Sequence, residues 1–240
     1  MLSRFELEVY GRSEIRGSKR ISNPGCYATS TQMLLAPLVD HLKPGVVPTV
    51  FGLSGYSGAG TVATTDPDGR PTSAPKVTPE SLKRSVRSYA LTDHIHEREA
   101  GFHLSRLLSP DANGIKVAFV PAVTPWFSGI LSTASVPLAG RMSAREVARL
   151  FEERYGGERL VRILKGVPVL GDVEGRHGWV VGGFQVHSEG DRVVVVVRRS
   201  FFFLLFWVID TSAGWPGQPT KRCGDTVHPS QCFFPGVFMF

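Results

Sequence analysis

Cysteine is scarce in this chain: 240 residues hold three, Cys26, Cys223 and Cys232. An odd number without regular spacing supplies neither a disulfide framework nor the paired thiols of a structural zinc site, and it points to a reducing compartment. No apolar stretch reaches the roughly 20 residues that a membrane-spanning helix needs. The strongest, Phe201 to Ile209, is separated from the preceding valine run by Arg198 and Arg199, and reads as an exposed aggregation liability rather than an anchor. Met1 to Tyr10 contains acidic residues and no signal-peptide core, which argues against a transit sequence there. A dinucleotide fingerprint is also lacking. Gly52, Gly55 and Gly58 stand at tempting intervals, but Pro67, Asp68, Gly69 and Pro71 follow where a helix should open. Lys and Arg outnumber Asp and Glu, 27 to 21, for a net charge of +6, a balance that favours anionic ligands such as phosphates. These basic residues are scattered, Lys83, Arg84 and Arg87 among them, with no aromatic-flanked stripe that would argue for nucleic acid. No internal repeat occurs.

What is present is a globular pattern, 42% hydrophobic and 20% charged, long enough for one good core with a small appended unit. Residues 46–53, 115–123, 130–136, 161–164, 183–187 and 192–197 read as strands, the last two joined as a hairpin at Glu189-Gly190-Asp191. Ser143-Ala-Arg-Glu146 is a capping box that predicts a helix to about Tyr155, with Gly156 and Gly157 as its stop. Thr78-Pro79-Glu80 predicts another helix running to about Ser88. The pattern is α+β, a mixed sheet with helices between the strands.

Asn23-Pro-Gly-Cys26-Tyr-Ala-Thr29 reads as a cysteine set at the mouth of a helix. Pro24 and Gly25 shape the entry, and Leu34, Leu35, Leu38 and Leu42 recur at helical spacing behind it. Unpaired amides and the positive end of the helix dipole at that position favour thiolate over thiol, so Cys26 is a candidate nucleophile for carbonyl or acyl attack. A small buried apolar cysteine is the competing reading.

A second cluster, Asp93-His-Ile-His-Glu-Arg-Glu99, opens another helix, with Asp93 as the expected N-cap and Leu104, Leu107 and Leu108 behind it. His96, Glu99 and His103 fall along one face, with His94 in the first turn. Imidazole beside a reactive thiol suits acid and base work. A metal site would need a second histidine where Ala100 stands in the His-Glu-x-x-His pattern, so no metal is assigned. A solvated helix face with incidental histidines is the plainer alternative.

Four segments together, Ser22-Asn-Pro-Gly-Cys-Tyr-Ala-Thr29, Gly52-Leu-Ser-Gly-Tyr-Ser-Gly-Ala-Gly60, His94-Ile-His-Glu-Arg-Glu99 and Phe119-Val-Pro-Ala-Val-Thr-Pro-Trp-Phe-Ser-Gly-Ile130, resemble N-acetyl-gamma-glutamyl-phosphate reductase. Their order and spacing match over about residues 9–197, in wording close to the fungal and related eukaryotic form. The resemblance implies NADPH-dependent reduction of an acyl phosphate to N-acetylglutamate semialdehyde in arginine biosynthesis. It also implies a sheet domain like the C-terminal half of glyceraldehyde-phosphate dehydrogenase, with helices on one face and a subunit interface on the other. By resemblance Cys26 forms a thioester and His94 is the acid and base. Tyr89, His96 and Glu99 line the substrate pocket, and Ser57, Gly58, Ala59 and Gly60 lie near the nicotinamide end of NADP(H). The partners implied are a small-molecule substrate and further copies of the chain, with no nucleic acid and no membrane. Aspartate-semialdehyde dehydrogenase is the related alternative, disfavoured by its different cysteine context and its lack of the His-x-His helix.

Departures from that family are equally informative. Only 21 residues precede the cysteine motif, fewer than the roughly 30 of one βαβ unit, so residues 1–21 read as a remnant and the Rossmann domain as largely absent. Residues 22–197 read as the catalytic and dimerisation domain, and residues 198–240 as a foreign, poorly ordered tail. A noncatalytic fragment that associates with full-length subunits is therefore the alternative function. The resemblance implies mitochondria, although no targeting segment is present; otherwise the compartment expected is the cytoplasm.

Overall fold

Every second residue of Ile130–Pro137 is buried, the alternation that a strand with one covered face requires. In the computed structural model, residues 3–4, 20–22, 24–108, 114–173, 176–199, 208–210 and 237–238 are described. The chain divides into two units. Met1–Gly25 with Phe203–Phe240 is one, and Cys26–Phe202 is the other. In the first, β1 (Ser3–Arg4), β2 (Arg20–Ser22), β12 (Val208–Asp210) and β13 (Val237–Phe238) pair in that order. Most of the expected remnant and tail, with Cys223 and Cys232, lies outside the described residues.

The second unit holds a seven-stranded mixed sheet. Its strands are β3 (Thr49–Gly55), β6 (Arg87–Ser88), β7 (Ala118–Thr124), β8 (Ile130–Pro137), β9 (Val161–Ile163), β10 (Trp179–Val186) and β11 (Arg192–Arg199). They are ordered β6-β7-β3-β8-β11-β10-β9. The β3–β7 and β9–β10 pairs are parallel and the others antiparallel. Strands β4 (Thr61–Thr65) and β5 (Pro71–Pro75) form a separate hairpin.

Three helices cover the sheet. Helix α1 (Cys26–Leu35) packs on β8 and β11, α2 (Ile95–Leu108) on α1 and β7, and α3 (Ala144–Tyr155) on β9 and β10. All residues of α1 after Cys26 are buried, polar ones included, and Ser30 and Ser132 satisfy each other across the layer at 2.9 Å. Tyr155 reaches from α3 to donate to the Met33 carbonyl at 3.1 Å. Pro37 ends α1 as a 3-10 helix over Ala36–His41, because it has no amide to continue the α-helical ladder.

This is the mixed sheet with helices that the sequence predicts. The capping box at Ser143 and Glu146 is present on both sides, and the β10–β11 hairpin turns at residues 189–191. The helix expected from Thr78 to Ser88 is absent. One turn forms, in which the Leu82 amide reaches the Thr78 and Pro79 carbonyls. Lys83 and Arg84 then enter the left-handed region at φ 49° and 58°, which ends any helix. Leu82 is pinned with Val77 and Val123 in a small apolar cluster, and burial of that side chain outweighs local propensity.

Candidate active site

Cys26 opens α1 and is partly exposed. Behind it the Tyr27 ring lies against Gly52 of β3, filling the space a side chain there would need, while its hydroxyl donates to the Ala122 carbonyl of β7 at 3.0 Å. The ring also packs on Phe119 at 4.7 Å between centroids. Residue 27 thus ties the first turn of α1 to the parallel pair β3 and β7.

The start of α2 meets the same place. Asp93, the expected N-cap, sits one residue too early and in the left-handed region at φ 59°, which a short polar side chain tolerates. His94 takes the cap instead. Its Nδ1 accepts from the His96 amide at 3.2 Å and its carbonyl from the Glu97 amide at 2.9 Å. Because Nδ1 accepts, the proton of the neutral ring is assigned to Nε2. The His94 ring lies 5.3 Å from Phe119, 4.6 Å from His96 and 5.9 Å from Tyr89, and His96 lies 6.2 Å from Tyr27.

Electrostatics revise one expectation. Burial pushes the Cys26 thiol up to about 11, against the pull of the Tyr27 and Cys26 backbone amides and of Arg199, with Glu99 adding to the rise. The helix N-terminus does stabilise the thiolate, but desolvation costs more, so the resting group is a thiol. Burial lowers the pKa of His94, with Glu97 opposing. Burial, and then the neighbouring His94, lowers that of His96 to about 4. His96 Nε2 is 3.9 Å from Glu99 Oε2, and since His96 is neutral at pH 7 we read this as an imidazole beside a carboxylate rather than an ion pair. His96 Nδ1 is buried with no hydrogen-bond partner among the described residues. Burial and the Cys26 charge raise Tyr89 to about 12.

The predicted residues Cys26, Tyr89, His94, His96 and Glu99 therefore converge, through direct contacts or mutual electrostatics. His103 is buried further along α2. Ser57, Gly58, Ala59 and Gly60 form a 3-10 turn after β3 that ends at Gly60, φ 82°. It is fastened to the loop after β7: Gly55, Tyr56 and Ser57 amides donate to the Gly129, Trp126 and Phe127 carbonyls. Ser54, just before it, donates its hydroxyl to the Gly55 carbonyl at 3.0 Å.

Sequence reading missed Arg199, whose charge reaches Cys26. Its guanidinium stacks over Trp179 with 4.9 Å to the ring centroid. No local motif marks it, since sheet register alone carries it to the site. Among the described residues, the His and carboxylate groups close enough to share a metal ion are His187, Glu189 and Asp191, all exposed on the β10–β11 hairpin. No helix among the described residues is long and apolar enough to cross a membrane.

Known proteins align with this arrangement. A protein named ARG5,6, mitochondrial, from Candida albicans is 42% identical over 190 residues, covering 79% of this chain and 20% of that protein. N-acetyl-gamma-glutamyl-phosphate reductase of Stenotrophomonas maltophilia is 40% identical over 192 residues, covering 80% and 54%. The chain thus spans about half the length of the bacterial relative and about a fifth of the fungal one. Aspartate semialdehyde dehydrogenase II from Vibrio cholerae shares the fold, with a TM-score of 0.58 at 17% identity over 83% of this chain and 63% of that one. Residues 26–199, from the candidate nucleophile to the missed arginine, match the dimerisation domain of semialdehyde dehydrogenase, and the chain belongs to that family.

Proposed function

We propose that the chain is the catalytic and subunit-contact half of an N-acetyl-gamma-glutamyl-phosphate reductase. The observation that carries this reading is that Cys26, at the first turn of α1, and the His94–His96 pair, at the start of α2, share Tyr89 and Glu99 as common neighbours. In the proposed reaction the Cys26 proton passes to His94, whose Nδ1 gives up its 3.2 Å bond from the His96 amide to receive it, and the sulfur attacks the gamma-carbonyl. Phosphate leaves with the bonding electrons and a thioester remains on Cys26. NADPH, when bound, supplies the hydride. The His94 imidazolium returns its proton to the resulting oxygen, and the thiohemiacetal then collapses to the semialdehyde and free Cys26. A neutral His94 and a protonated thiol are the matching resting states.

Residues around the pair have roles in the same proposal. Arg199 attracts the acyl phosphate anion. The unpartnered Nδ1 of His96 accepts from a polar N–H of the substrate, with Glu99 and Tyr89 completing the pocket. Ser57, Gly58, Ala59 and Gly60 are assigned by the resemblance to the nicotinamide end of NADP(H); open space flanks Gly60, whereas Gly58 is glycine because a Cβ there would meet Ser54 Oγ at 2.6 Å. The rest of the cofactor calls for a nucleotide-binding unit, consistent with the missing fingerprint. A mitochondrial setting follows the name of the fungal relative.

Phosphate-dependent reduction of NADP with N-acetylglutamate semialdehyde is the test, beside a Cys26→Ser variant. Turnover abolished by the substitution supports the reading; turnover that survives it refutes the nucleophile.

A second reading rests on the outer face of the sheet. Phe51 is 51% exposed on β3, in register with Val120 on one side and Thr133 on the other. This half-apolar face fits association with another copy of the domain, including a full-length subunit, without catalysis. Co-purification of a tagged copy with complete reductase would support it, and a strictly monomeric product would count against it.

A further inference from the structure

Glu97 follows the two imidazoles of the site on α2, and neither the motif reading nor the proposed reaction gives it a task. Glu99 lies beside His96, whereas Glu97 turns to the sheet: Oε1 accepts the Phe119 amide of β7 at 2.8 Å, across 22 residues of sequence. Phe119 is the ring on which Tyr27, His94 and His96 all pack. A carboxylate accepting a backbone amide makes a charge-assisted hydrogen bond, stronger and shorter than a neutral one. The bond joins the first turn of α2, just after the His94 cap, to the strand carrying the shared aromatic surface.

We propose that Glu97 is a positioning residue: its carboxylate, held by the Phe119 amide, fixes the first turn of α2 against β7 and so sets where the His94 and His96 rings stand beside Cys26. Glu97 does not touch the reacting atoms. It acts on His94 in two separable ways, through the anchor and through its negative charge, which favours the imidazolium. The other titratable groups of the cluster are His96 on the same helix and Tyr89 from the segment after β6, both packed on His94, with Glu99 and Tyr27 against His96 and Cys26 acting on Tyr89. The importance of this placement for catalysis rests on the reductase reading; the placement itself does not.

The test uses the full 240-residue chain and two variants. Glu97→Gln keeps an acceptor oxygen but removes the charge; Glu97→Ala removes both. Amide hydrogen exchange at Phe119 and the NMR titration of His94 are read in each. We expect Phe119 exchange to rise about tenfold in Glu97→Ala, as loss of one such bond implies, and to stay near the wild-type value in Glu97→Gln. The His94 titration should move to lower pH in both. Unchanged Phe119 protection in Glu97→Ala, or a His94 titration unmoved in Glu97→Gln, overturns the proposal. If the alanine variant does not fold, the Phe119 amide proton shift in Glu97→Gln decides: it should move upfield as the charge-assisted bond becomes a neutral one, and an unmoved shift overturns the proposal. Neither readout needs turnover, so a failed reductase assay leaves this result standing, and the reverse holds as well.

Discussion

The ring of Tyr27 fills the space that a side chain at Gly52 would need, so that the residue after the candidate nucleophile is seated directly on β3. Gly52→Ala would drive a methyl group into that ring, with Phe119 close on the other side. Overpacking of this kind costs about 1–3 kcal/mol. We expect a lowered denaturation midpoint together with altered Cys26 alkylation; a variant as stable as the parent would show that the ring has room to move.

Cys26 should behave as a hindered, protonated thiol. With its pKa raised to about 11, alkylation by iodoacetamide should still be climbing between pH 9 and pH 10, where an ordinary thiol has levelled off. The linkage has a definite sign. The unfolded chain ionises this group first, so stability is lost as pH rises from about 9 towards 11. A rate plateau near neutral pH would contradict the desolvated site.

His96 gives the opposite limb. Its folded pKa, about 4, lies below the ordinary 6.5, so the unfolded state takes up a proton first as pH falls. Stability is complete above pH 6.5 and declines towards pH 4, by at most about 1.4 kcal/mol per pH unit. Denaturant melts across this window should show the decline, and His96→Gln should flatten it. The same slope in both proteins would assign the effect elsewhere.

At α3, Ser143→Ala removes the side chain that accepts from the Glu146 amide. Loss of an N-cap costs about 1 kcal/mol, a fall in Tm of about 2–4 °C for a domain of this size. Because α3 contributes no residue to the site, Cys26 alkylation should be unaffected, and a change there would reveal coupling between the two.

Phe51→Asp tests the outer face of the sheet. If copies meet there, a buried unpaired carboxylate should weaken association by at least tenfold, visible as a shift to monomer in analytical ultracentrifugation. An unchanged mass distribution would remove Phe51 from the interface.

The limits of sequence reading follow from where each controlling force originates. The α3 cap and the β10–β11 turn were legible because Ser143, Glu146 and Gly190 act on their own neighbours. Lys83 and Arg84 were not, since a left-handed conformation at two basic residues has no compositional signature. At Cys26 the helix dipole is local and was foreseen, whereas the desolvation that outweighs it comes from burial in the folded domain. The His94 cap was misplaced by one residue because Asp93 is the better capping type in isolation. Arg199 was out of reach entirely, as only strand pairing with Ile130 and Trp179 brings that end of β11 to the site.

That last pairing has a consequence for how the protein comes to exist. Cys26 is made early and Arg199 late, and strands β8, β10 and β11 must all be in place before the arginine can arrive. A centre assembled from contacts this distant in sequence forms slowly and near the end of folding. Until the domain closes, the cysteine lacks the burial that raises its pKa, so the nascent chain is more open to oxidation and adduct formation than the finished domain.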